Sequence, residues 1–139
     1  IFFSHRKGDE TLVKQSLKIC LRSLGHRVFD FQEEPADPRG VTKQWEEAVD
    51  QCSHFFLITG KSFRTRSDGT HALDENDVVL KELDRVLQRK ASVLLAWFTV
   101  NINADDLKHT ISRGMTEQQK DIFFNIHRFK ISNSPDGDI

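Results

Sequence analysis

Long apolar runs are missing from this 139-residue sequence. Stretches such as "VLLAWF" at 93 to 98 fall far short of the roughly 20 residues that a membrane-spanning helix needs, so no membrane segment is expected. An excess of one charge is missing too. Twenty Lys and Arg against 21 Asp and Glu leave a formal charge of −1, which offers no electrostatic footprint for nucleic acid or an anionic membrane. Cysteine is scarce: Cys20 and Cys52 each fall within an expected helix and read as small buried hydrophobes of a reducing, cytoplasmic compartment, not as a bridge or a metal pair. The six histidines share no i, i+4 spacing and have no neighbouring cysteine pair, so no metal site is expected. A phosphate-binding loop is lacking as well. "TGKS" at 59 to 62 has no leading glycine and does not open a helix in the required register. No nucleophile elbow surrounds Ser62 or Ser67, which removes acyl chemistry.

What is present is an alternation of strand and helix long enough for one domain with its own core. "IFFS" at 1 to 4 reads as a buried strand already under way, which suggests a domain cut from something longer. After the polar loop "HRKGDE", a helix is expected from Glu10 to Leu24, with Val13, Leu17, Cys20, Leu21 and Leu24 as its apolar stripe and Gly25 ending it. "HRVFDF" at 26 to 31 reads as the second strand, and "QEEPADPRG" as a surface loop. Val41, Trp45, Ala48, Val49 and Cys52 mark a second helix, and "HFFLIT" at 54 to 59 a third strand covered on both faces. The polar segment 60 to 77 is about three times the median connection length, which marks it as functional or mobile. A third helix and the strand "ASVLLAWFTV" follow. "MTEQQKDIFF" fits a short helix capped by Thr116, "IHRFKIS" at 126 to 132 an edge strand, and "NSPDGDI" a frayed tail. This order is the signature of a five-stranded parallel sheet with helices on both faces, in the α/β flavodoxin-like class. In such sheets ligands bind outside the carboxyl ends of the strands, at the point where strand order reverses.

One residue on the third helix stands out. Val79, Leu83, Val86 and Leu87 recur at the spacing of a core-facing stripe, and Glu82 borders it, while Lys81, Asp84, Arg85, Gln88 and Arg89 point away. Taken alone, Glu82 reads as an ordinary boundary glutamate, because glutamate is a good helix former and mostly exposed. Arg6 and Lys7, just past the first strand, have the charge and forked donors to hold phosphates, and a solvated loop is the plainer reading of both.

Taken in order, these segments resemble a Toll/interleukin-1 receptor (TIR) domain, over nearly all of residues 1 to 133. "FFSHRKGDE" looks like that family's first box, "VFDFQEEPADPRG" like its second, and "FFLITGKSF" like its third strand and exit. "DVVLKELDRVL" is similar to the third helix, where NAD-cleaving members carry a glutamate, and "IFFNIHRFKIS" to the last strand. The chain departs from the pattern at Val78, where many members have Trp, and at Thr59 and Gly60, where Ser and Pro are usual. The second-box loop looks longer, leaving Gly40 without a sure match, and the family's last helix is missing, with 134 to 139 a tail or a junction to another domain.

The resemblance implies an enzyme that cleaves the nicotinamide–ribose bond of NAD+ when assembled, in innate immune or cell-death signalling, releasing ADP-ribose or its cyclic form. NAD+ is then the substrate, and no cofactor is implied. Glu82 would be the catalytic residue, Arg6 and Lys7 would hold the diphosphate, and Phe3, Ser4, Phe29, Val41 and Phe63 would complete the binding site. The alternative from another class is an adaptor without activity, which stacks with other TIR domains through the loop at 32 to 40 and the second and third helices.

Overall fold

The structure, a computed structural model, describes residues 1–5, 11–30, 37–60, 63, 78–89 and 93–131. Four strands form one parallel sheet: β1 (Phe2–Ser4), β2 (His54–Thr59), β3 (Leu94–Val100) and β4 (His127–Ile131), hydrogen-bonded in that order. Between them lie α1 (Thr11–Ser23), α2 (Val41–Gln51), α3 (Val78–Leu87), α4 (Lys108–Ser112) and α5 (Glu117–Phe124).

Among the described residues, the expected second strand is represented by a single bridge. Phe29 pairs with Phe2 on the flank of β1 away from β2, where Phe29 N–H donates to the Ile1 carbonyl at 2.8 Å and Phe3 N–H to the Phe29 carbonyl at 3.1 Å. The sheet therefore has four strands among the described residues, one fewer than the sequence led us to expect, with Phe29 holding one parallel pairing on the fifth position. The chain leaves β1 through α1 to this flank and returns through α2 to β2 on the other. The order of building thus reverses at β1, which makes its carboxyl end a topological switch point.

Alternation along the strands divides the interior into two cores. Phe2, Phe55, Leu57 and Trp97 face α2, α3, α4 and α5, where Trp45, Val49, Val79, Leu83, Ile111 and Phe123 pack against them. Phe3, Ile58 and Val100 face the other way, against Leu17 and Leu21 of α1. On that face the rings of Phe3, Phe56, Phe98 and Phe129 form a ladder across all four strands, with centroids 5.9, 5.2 and 5.1 Å apart. Helices thus cover both faces, and none of the described helices is long and apolar enough to cross a membrane.

Helix ends follow the local chemistry of the chain. Gly25, at φ +88°, takes the left-handed conformation that terminates α1. Thr116 caps α5 in a reciprocal box: its hydroxyl accepts from Gln119 N–H at 3.1 Å, and the Gln119 side chain accepts from Thr116 N–H at 3.0 Å. Thr116→Ala is expected to cost about 1 kcal/mol, measured by chemical denaturation. α4 and the 3-10 turn before it, Ala104–Asp106, were not legible in the sequence.

The stripe expected on α1 is rotated. Lys14, Leu17, Lys18 and Leu21 face inward, whereas Cys20, Ile19 and Leu24 are exposed. Cys20 is thus not the small buried hydrophobe that its helical position suggested. Cys52 is buried, and burial pushes its thiol pKa up. The side chain of Val13 lies outside the described residues.

Candidate functional site

β1 is only three residues long, and it leaves the sheet between two buried carboxylates. Ser4 ends the strand, paired with Leu57 of β2 and pointing to the same face as Phe2. On that face α3 presents Glu82, which is 5% exposed. The Ser4 hydroxyl donates to Glu82 Oε1 at 2.8 Å, joining residues 78 positions apart in the chain. Glu82 is therefore part of the buried surface of α3, with Val79, Leu83, Val86 and Leu87, and is not a boundary residue in water.

His5, the next residue, points to the opposite face. There its Nε2 lies 3.1 Å from Asp30 Oδ1, while Lys18 Nζ donates to Oδ2 at 2.8 Å and Lys14 Nζ lies 3.4 Å from the same oxygen. All four side chains are buried. A carboxylate out of water needs compensating charge and hydrogen bonds, and α1 delivers two ammonium groups to Asp30 at i, i+4 spacing. Sequence reasoning missed this cluster. The available signal was Lys14, Leu17, Lys18 and Leu21 on one helical face, with Asp30 closing the apolar run "RVFD".

The remaining candidates are scattered. Phe3 lies in the α1-side core, across the sheet from Glu82. Phe29 stacks on Phe2 at 5.2 Å and lines a cavity of about 390 Å³ with Ile1, Cys52 and Ser53, at the amino edge of the strands. Phe63 is fully buried in the larger core. Val41 is 57% exposed at the start of α2. It lines a groove of about 750 Å³ between α2, α3 and the α4–α5 connection, with Trp45, Val78, Lys81, Arg113 and Met115. Glu82 does not line this groove, but Val78, one turn earlier on α3, does. Among the described binding candidates, Ser4 is the one that hydrogen-bonds Glu82. Arg6, Lys7, Ser62 and Ser67, like most of the rim loops and the tail after Ile131, lie outside the described residues.

Two sets of ion pairs flank α2. Arg85 of α3 reaches Glu46 and Asp50 of α2, each at 2.7 Å, and its hydrogen bond holds the Asp50 carboxyl below the usual range. Arg39 forks between Asp37 and Glu47 at the entry to α2 and holds both of their carboxyls low. These exposed pairs orient α2 against α3 and its own preceding turn more than they stabilise the fold. At the end of β2, Thr59 takes up the Trp97 indole N–H at 3.0 Å and donates to the Phe98 carbonyl at 3.1 Å, so its hydroxyl ties β2 to β3.

Among the described residues, no group of His, Cys, Asp and Glu is placed to hold a metal ion. The arrangement at the switch point supplies a buried carboxylate, oriented by a neutral hydroxyl, at the edge where parallel sheets bind ligands. Such a group can stabilise developing positive charge or accept hydrogen bonds from a sugar. The chain matches no model of a known protein family, and comparison with curated proteins found no relative.

Proposed function

We propose that this chain is a TIR-like NAD+ hydrolase, active when assembled with further copies, with Glu82 as its catalytic carboxylate. The observation that carries the reading is the burial of Glu82 against Ser4 at the carboxyl end of β1, where the sheet reverses its order. The order of the five sequence boxes supports it independently.

The chemistry requires little more than such a group. The bond between ribose C1′ and the nicotinamide nitrogen breaks, and its electron pair neutralises the pyridinium ring. The ribose is left as an oxocarbenium ion, whose positive charge a nearby carboxylate stabilises. Water adds at C1′ and gives up a proton, so that ADP-ribose and nicotinamide leave together with one H+; capture by the adenine ring in place of water gives the cyclic product. Arg6 and Lys7 serve the diphosphate in this reading, and the compartment is cytoplasmic.

A second reading, a scaffold that signals by TIR–TIR stacking without turnover, has its own support in Val41 and Val78. These apolar side chains are 57% and 48% exposed and lie on one groove between α2 and α3. The purified chain, clustered by a fused oligomeriser and given NAD+, separates the two. Release of nicotinamide supports the hydrolase, and a folded, clustered chain that leaves NAD+ intact overturns it in favour of the scaffold.

A further inference from the structure

A hydroxyl on a fully buried strand residue is costly unless it is hydrogen-bonded, and Ser4 has Phe2 beside it on the same face of β1. Its proton goes to Glu82 Oε1 at 2.8 Å. The two partners differ in mobility. A glutamate on a helix has three side-chain torsions between its backbone and its carboxylate, whereas Ser4 has one and sits on a strand whose backbone is paired on both sides, to β2 and to Phe29. The rigid member therefore sets the position of the flexible one.

The geometry points to Ser4 as a positioning residue of Glu82: its hydroxyl holds Oε1 at the carboxyl edge of β1. This assignment rests on the hydrolase reading and changes the part Ser4 plays in it. Its proton goes to Glu82, so in this reading Ser4 acts through the carboxylate.

Ser4→Ala removes the hydroxyl that meets Oε1 and leaves the rest of the chain's side chains unchanged. For the clustered chain, Ser4→Ala is expected to lower kcat by roughly 10- to 100-fold while KM stays within about twofold, the pattern of a misplaced catalytic group. Ser4→Thr, which keeps the hydroxyl, is expected to recover most of the loss. The contact itself is read without turnover, from the side-chain carboxyl carbon of Glu82 in 13C-glutamate-labelled protein, identified by its absence in Glu82→Gln. That signal moves in Ser4→Ala and returns in Ser4→Thr. A folded Ser4→Ala with wild-type kcat, or one that loses only substrate affinity, overturns the assignment even if the wild type cleaves NAD+. If the wild type releases no nicotinamide, the hydrolase reading falls and the spectrum decides alone. An unmoved Glu82 signal in Ser4→Ala then overturns the positioning as well, whereas a shift restored by Ser4→Thr upholds Ser4 as the group that sets the Glu82 conformation.

Discussion

Glu82→Gln is expected to fold as the wild type does and to release nicotinamide at least about 10³-fold more slowly when clustered. Glutamine keeps the shape of the side chain and an oxygen that accepts the Ser4 hydroxyl, but it carries no charge to set against an oxocarbenium ion. Its steady-state rate, measured beside a thermal melt, therefore isolates the electrostatic contribution. Alanine is the poorer probe. A boundary glutamate would tolerate truncation, but Glu82 is buried against Ser4, so Glu82→Ala leaves the hydroxyl without that acceptor at a cost of about 1 to 3 kcal/mol. Wild-type turnover by a folded Glu82→Gln would remove Glu82 from the mechanism and leave the switch point without its catalytic group.

Asp30→Asn is expected to be the most destabilising single change at this end of the sheet, by about 3 to 5 kcal/mol. Lys14 and Lys18 both direct their ammonium groups at one Asp30 carboxylate, all three side chains are buried, and His5 meets its other oxygen. An amide of the same size fills the space but takes away the charge that the two lysines share. For a chain of this length such a loss lowers the melting midpoint by roughly 10 °C or more, visible in a single calorimetric scan. Lys14→Met is expected to cost less than Asp30→Asn, because Lys14 is the longer contact at 3.4 Å and its stem packs as methionine does. Equal melting of Asp30→Asn and wild type would show that the cluster contributes no net stability.

The sequence was most informative where a local pattern coincides with a buried surface. "HFFLIT" is β2 to the residue, because an uninterrupted apolar run is what a strand covered on both faces requires. The Thr116 cap and the Gly25 stop were legible because each is decided within a few neighbouring residues. α1 shows the limit. Its apolar residues fit a stripe through Cys20 and Leu24, and nothing local says that two lysines displace them from the interior. Their counter-charge, Asp30, belongs to another segment, and only the tertiary fold brings it into place. Glu82 was half legible for the same reason. Its position beside the stripe could be read from the helix, but its burial depends on a hydroxyl 78 residues away. "HRVFDF" has the composition of a strand, and among its described residues, 26–30, it keeps a single bridge, at Phe29. Composition indicates that a segment can pair, not how many of its residues will.

The pairing of β1 with β2, Phe2 to Phe55 and Ser4 to Leu57, decides more than a strand position. Ser4 and His5 are consecutive residues on opposite faces, each matched to a different carboxylate. A slip of one residue would turn the imidazole toward Glu82 and the hydroxyl toward Asp30, leaving both acids with the wrong partner. The two contacts thus act as a check on register, one that three residues of backbone pairing alone would enforce weakly. A chain that folds with β1 out of step loses the Asp30 cluster and the Glu82 contact together, so the alignment that assembles the candidate site is also the one that the stability of the fold selects.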